Sequence, residues 1–107
     1  MLVVGGEEVT YQIEYTDAAI EHLKTLTKRQ QRTVLDTVDE QLTYEPLVET
    51  RNRKPMQPNS LATWELRIGK LRVYYDVEDN TVSIVYIQAV AIKNRNRVRI
   101  GKEEIEL

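Results

Sequence analysis

The period of hydrophobic and polar positions changes twice along this chain. Residues 9–14 (VTYQIE) alternate weakly and carry β-branched and aromatic side chains, the make-up of a short strand. From residue 16 the period lengthens: Ala18, Ile20, Leu23 and Leu26 recur at helical spacing behind Thr16 or Asp17 as N-cap, predicting a helix to about Thr27. A second helix is expected over about residues 28–44, with Val34, Leu35, Val38 and Leu42 inward. Pro46 ends it, because proline cannot continue the hydrogen-bond ladder. So tight a connection makes the pair a helical hairpin.

Residues 48–60 (VETRNRKPMQPNS) hold two prolines and no period, and read as a loop. Period two then returns over residues 64–68 and 71–77, separated by Gly69-Lys70, the Gly-X pair that a two-residue type II′ turn favours. Asp79-Asn80 turns the chain into a third strand, residue 82 to about 92. Its run SIVYIQAVAI is apolar on both faces, as in the middle of a sheet. The expected fold class is α+β: an N-terminal edge strand and a helical hairpin on one face of a twisted antiparallel sheet of about four strands.

Pairing across the Gly69-Lys70 turn sets Ile68 opposite Leu71, Arg67 opposite Arg72 and Glu65 opposite Tyr74. Trp64, Leu66, Ile68, Leu71, Val73, Tyr75 and Val77 then share the face under the helices. Arg67 and Arg72 lie on the other face, where like charges directly across a ladder are unfavourable. Either Glu65 and Asp76, of the same parity, balance them, or the pair waits on an open face for phosphate. In the third strand, Ser83, Val85, Ile87, Ala89 and Ala91 lead by parity to Lys93 and Arg95 on that same face. Arg51, Arg53 and Lys54 precede the hairpin and are expected to flank it.

Charge summed by segment sharpens this picture. The whole chain of 107 residues carries formal net charge -2. Residues 1–50 hold ten acids and four bases, residues 51–102 eleven bases and four acids, and EEIEL at the end three acids. Between residues 93 and 102, KNRNRVRIGK has five bases and no acid. One acidic and one basic side suit a molecule that holds a polyanion; solvated surface is the alternative use of such charge. The length predicts one domain, residues 1–107. The absence of cysteine excludes disulfides, thiolate zinc sites and a cysteine nucleophile, and the reducing cytoplasm is the expected compartment. MLVVGGEEV has too short an apolar run for a signal peptide or a span, so a soluble protein without membrane association is expected.

The order strand, two helices, basic loop, hairpin, long strand and basic segment resembles the RelE/ParE toxin superfamily of bacterial type II toxin-antitoxin systems over about residues 11–100. WELRIGKLRVYYDV carries its best local mark, a W-x-x-R-x-G-x-x-R-(V)-x-Y hairpin at Trp64, Arg67, Gly69, Arg72 and Tyr74. The resemblance implies a small cytoplasmic toxin neutralised by a cognate antitoxin that wraps it. One branch enters the ribosomal A site and cleaves messenger RNA; the ParE branch inhibits DNA gyrase without cutting. In the nuclease branch the surface is cationic. Its bases before the hairpin match Arg51, Arg53 and Lys54, its hairpin cations Arg67 and Arg72, and its base after the long strand Lys93. The tyrosine that often follows falls at Arg99, so that aromatic is missing.

Cleavage of RNA by its own 2′-hydroxyl needs stabilisation of a dianionic phosphorane-like state and transfer of two protons. Fixed cations supply the first, each worth about 3 kcal/mol in a site that excludes water. Arg67, Arg72, Lys93, Arg95 and Arg99 form the expected catalytic set, and Arg51, Arg53, Lys54 and Arg97 the RNA-binding set. Histidine is the usual proton carrier, but the sole histidine, His22, lies on the acidic first helix and reads as a surface or partly packed residue. Lys93, its pKa lowered by neighbouring cations, is then the expected base, with Glu65 second. No metal or other cofactor is expected, since the acids show no ligand spacing. Tyr74 and Tyr86 could stack on bases, though alternation groups Tyr86 with Val82 and Ile84 as core, and Trp64 reads as core. IGKEEIEL alternates and can form a last strand whose glutamates lean on the cations and mask the site.

Overall fold

The computed structural model describes residues 9–106. Its elements run β1 (Gln12–Tyr15), α1 (Asp17–Lys24), α2 (Lys28–Leu42), β2 (Arg53–Pro55), β3 (Trp64–Ile68), β4 (Leu71–Glu78), β5 (Ile84–Asn94), β6 (Arg97–Ile100) and β7 (Glu103–Glu106). The class is the α+β arrangement expected, with two helices packed on a mostly antiparallel sheet and an N-terminal edge strand. The sheet has seven strands, in the order β2-β3-β4-β5-β6-β7 with β1 beside β5. Residues 48–60, expected to be loop, contain β2, which extends the β3–β4 hairpin as an antiparallel edge. Of MLVVGGEEV, residues 1–8 lie outside the described residues.

Both helices begin where side chains can satisfy orphan backbone amides. The Thr16 hydroxyl accepts from the Ala19 amide at 3.1 Å. Thr27 and Gln30 form a reciprocal capping box, which lets α2 start three residues after α1's C-cap, Thr25. Ala19 and Leu26, with Leu23, meet the sheet beside Val34, Val38 and Leu42. The inward set was expected to include Ala18, Ile20 and Leu35. Instead Ala18 is exposed, and Ile20 and Leu35 are each 41% accessible. An eight-residue helix offers only two turns, and burial of Ala19 against the sheet sets its rotation.

The hairpin forms in the expected register, with Ile68↔Leu71, Arg67↔Arg72 and Glu65↔Tyr74 paired. Gly69 has φ +60° and Lys70 has no positive φ, the sign pattern of a II′ turn. Leu66, Val73 and Tyr75 are buried under the helices, and Trp64 stacks on Tyr75 with centroids 6.1 Å apart.

Parity in β5 fails at one residue. Tyr74 pairs with Ala89 but Tyr75 pairs with Ile87, so Gln88 is an extra residue in the strand, a β-bulge. Before it Val85 and Ile87 face the helices, and after it Val90 and Ile92 do. Val85 and Ile87 therefore do not share the face of Arg67, whereas Ala89, Ala91 and Lys93 do. Tyr86 is half-exposed and reaches Glu78 rather than joining the core, because it lies on the uncovered side of the same shift. Asp76, paired with Tyr86, accepts from Gln88 Nε2 at 3.0 Å and so ties down the bulge.

The other edge of β5 is shared. β1 runs parallel to Ile84–Ile87, and β6 runs antiparallel to Ala91–Asn94. Between them the strand lacks a neighbour, and α1 supplies one. Thr16 N donates to Ile87 O at 3.1 Å, and the Val90 amide donates to His22 Nδ1 at 3.3 Å. Burial lowers the His22 pKa from its ordinary value, because a cation there would be poorly solvated.

The face away from the helices is not fully open. Ala62, Tyr74, Ala89, Ala91 and Val98 form a second small core, with Met56, Leu61 and Ile100 packed on it. The loop between β2 and β3 covers that part of the sheet. Among the described residues no helix is long and apolar enough to cross a membrane.

Candidate nucleic-acid interface

The cross-strand rows decide which cations meet. Lys54 pairs with Glu65, and Glu65 with Tyr74; in the next row Arg67 pairs with Arg72, and Arg72 with Ala91. Lys93 lies two residues beyond Ala91 on the same face, anchored by its amide to Lys70 O at 2.7 Å. Lys54, Arg67 and Lys93 thus come from β2, β3 and β5 to line one cleft of about 410 Å³, together with Glu65.

Glu65 organises the arginines. Its Oε1 is 2.8 Å from Arg67 Nε and its Oε2 is 3.8 Å from Arg72 Nε. The Glu65 side chain is 16% accessible and that of Arg72 12%, against 46% for Arg67. The repulsion expected of the opposed arginines is offset by one shared carboxylate, and Asp76 takes no part. Arg72 also donates to the carbonyls of Gly69 and Leu71, at 2.7 and 2.9 Å. It supports the turn, while Arg67 presents its guanidinium to the cleft. Lys93 forms no ion pair with a described residue, and Lys54 lies 3.7 Å from Glu49.

Tyr74 lies beneath this group, fully buried, with a hydroxyl that has no hydrogen-bond partner among the described residues. Burial raises its pKa and the Glu65 charge adds to that, against the pull of Arg72 and Arg67. It belongs to the second core and is not a free platform for stacking.

Several expected members lie elsewhere. Arg53 pairs with Leu66, so its side chain points to the helix side, where it is 6% accessible and donates to the Glu45 carbonyl. A one-residue offset from Lys54 is enough to put it on the opposite face. Arg51 is exposed in the preceding loop. Arg95 occupies the β5–β6 turn at φ +63°, and with Arg97 and Glu104 lines a separate shallow hollow. Arg97 is 3.7 Å from Glu104. Arg99 pairs with Ile92, on the face opposite Lys93, and donates to Gly101 O at 2.7 Å. The basic segment thus divides by strand parity, and only Lys93 joins the cleft. β7 does form, and its Glu104 leans on Arg97 rather than on Arg67 or Lys93.

Sequence reasoning missed the uncharged part of the cleft, which includes Met56, Gln57, Asn59 and Asn96. Its signal was local: Asn59 Oδ1 accepts from the Leu61 and Ala62 amides at 2.6 and 3.1 Å, a side-chain-closed turn that orders the loop. Among the described residues no group of three or more His, Asp or Glu side chains is placed to hold a metal ion.

With this geometry in view, comparison with known families is decisive. Residues 13–93 match the family described as the ParE toxin of type II toxin-antitoxin systems, parDE. The chain belongs to the ParE toxin family. This ParE-family chain also resembles a solved structure, the toxin-antitoxin complex RelBE2 from Mycobacterium tuberculosis. The TM-score is 0.68 at 27% identity, over 81% of this chain and 98% of the other. Both likenesses place it in the RelE/ParE superfamily. Comparison with curated proteins finds no match.

Proposed function

We propose that this chain is a cytoplasmic, ribosome-dependent mRNA endonuclease, neutralised by a cognate antitoxin. The observation that carries the reading is the convergence of Lys54, Arg67 and Lys93, from three strands, on one cleft that also holds a carboxylate. A phosphodiester there meets positive charge from several directions, and the dianionic state formed by 2′-hydroxyl attack gains more from fixed cations than the ground state does. Arg67 is oriented by Glu65 and is the principal phosphate ligand. Lys93 and Glu65 are the cleft groups that can exchange a proton with the reacting hydroxyl. The antitoxin reading draws on the family and on the complex in which the similar structure was solved.

The test is cleavage of translated messenger in a purified translation system. Arg67→Ala and Lys93→Ala are each expected to lower the cleavage rate about 100-fold or more while leaving the thermal unfolding transition in place. Intact messenger at stoichiometric wild-type protein would end the proposal.

A second reading has its own support. The family match is to ParE, and Arg99 stands where nuclease relatives often carry tyrosine. On that reading the protein inhibits DNA gyrase and cuts nothing, so a supercoiling assay with purified gyrase separates the two.

A further inference from the structure

The cations make up only part of the lining of the cleft. Beyond Lys54, Arg67 and Lys93 its lining turns apolar, with half-buried Met56 between exposed Pro55 and Pro58, over Val98, which is only 3% accessible. Its volume of about 410 Å³ falls within the roughly 300–1,000 Å³ typical of small-molecule sites, more than a lone phosphate group requires. An apolar shelf next to fixed cations exposes hydrophobic surface to water unless a flat, weakly polar group covers it.

Gln57 stands at this shelf with its side chain free. Its backbone carbonyl is held by Asn59 Nδ2 at 2.6 Å, and the rest of the Asn59 amide is consumed by the Leu61 and Ala62 amides. The loop is thereby pinned, while the Gln57 amide is exposed and forms no hydrogen bond to a described residue. A pinned backbone carrying an uncommitted donor-acceptor pair beside an apolar shelf is suited to reading the edge of a planar ring.

We infer that the cleft takes a single nucleotide of single-stranded RNA, with the phosphate on Lys54, Arg67 and Lys93, the base on Met56 and the adjoining prolines Pro55 and Pro58, and the base edge on the Gln57 amide. This rests on the reading of the cleft as an RNA site, and it adds a base-recognition half to it. Unpaired bases are recognised by such a combination of flat contact and edge hydrogen bonds. Adenine is the informative probe, because a side-chain amide can pair with it through two hydrogen bonds.

The experiment is titration of the purified full chain with AMP, ribose 5-phosphate and inorganic phosphate at low salt, followed by calorimetry and by the Met56 methyl resonance. AMP is expected to bind at least about fivefold more tightly than ribose 5-phosphate, the increment for covering about 40 Å² of apolar surface, and to shift the Met56 methyl signal. Gln57→Ala should weaken AMP several-fold and leave ribose 5-phosphate unchanged; Lys93→Ala should weaken both alike. Equal affinity for AMP and ribose 5-phosphate, an unshifted Met56 methyl signal, or absence of AMP binding would each overturn the base subsite. An AMP preference in a protein that leaves translated messenger intact would support the subsite while defeating the nuclease reading, so the two fail separately.

Discussion

Arg67 and Arg72 stand directly opposite each other across the β3–β4 ladder and share the carboxylate of Glu65. The pair persists because one half-buried anion serves both, with its two oxygens divided between them. Arg72 is thereby committed to the hairpin, and Arg67 keeps an exposed face toward the cleft.

Glu65→Gln should therefore destabilise the protein by about 1 kcal/mol, the scale of an unbalanced cross-strand like-charge pair and a weakened charged hydrogen bond. In a domain of this size that lowers Tm by roughly 4–8 °C. Adding Arg72→Leu should recover much of the loss. An unchanged Tm in the single variant would mean that Glu65 does not hold the pair.

The bulge at Gln88 sets which side chains of β5 face which way. Deleting Gln88 would force either Val85 and Ile87 out of the core or Ala89, Ala91 and Lys93 onto the helix face. Loss of the cooperative unfolding transition is expected, read by circular dichroism on heating. A stable variant that retained the cleft would show that the bulge has no such role.

Turn glycines should differ in their tolerance of alanine. Gly69 and Gly101 both adopt positive φ, +60° and +63°, but a Cβ on Gly69 meets nothing within 4 Å, whereas on Gly101 it would lie 3.1 Å from His22 Cδ2. Gly69→Ala should cost about 1 kcal/mol in backbone strain alone. Gly101→Ala should cost more, since it also presses on the imidazole that caps β5. Denaturant titration of both variants compares them, and equal costs would contradict the contact.

The same histidine gives a pH dependence with a definite sign. The folded-state pKa of His22 lies below its ordinary value of 6.5, so the unfolded chain takes up a proton first. Its contribution is complete above about pH 6.5 and is lost as pH falls through that value toward the lowered folded pKa. Protonation would also remove the acceptor for the Val90 amide. His22→Asn, which keeps an acceptor without titrating in this range, should flatten the dependence between pH 7.5 and 5. Parallel stability curves for the two proteins would refute the linkage.

Much of the fold was legible in the chain, because it rests on short-range chemistry. Thr16 ahead of an apolar periodic run started the first helix, Gly69-Lys70 made the hairpin turn, and Arg67 fell opposite Arg72 by counting outward from it. β2 was not legible, since three residues between prolines and asparagines carry no period and pair only because β3 offers an edge. The bulge was equally silent: nothing in SIVYIQAVAI distinguishes Gln88 from a polar residue in regular alternation.

The candidate site divides along the same line. Sequence alone determined that basic residues are concentrated in the second half of the chain and that the hairpin carries two of them on one face, because strand periodicity and turn chemistry act over a few residues. Tertiary structure decided which of the others join them. Lys54 and Lys93 reach the cleft, while Arg53, Arg97 and Arg99 do not, since each one-residue step in a paired strand reverses the side a residue faces, and the register is set by the neighbouring strands.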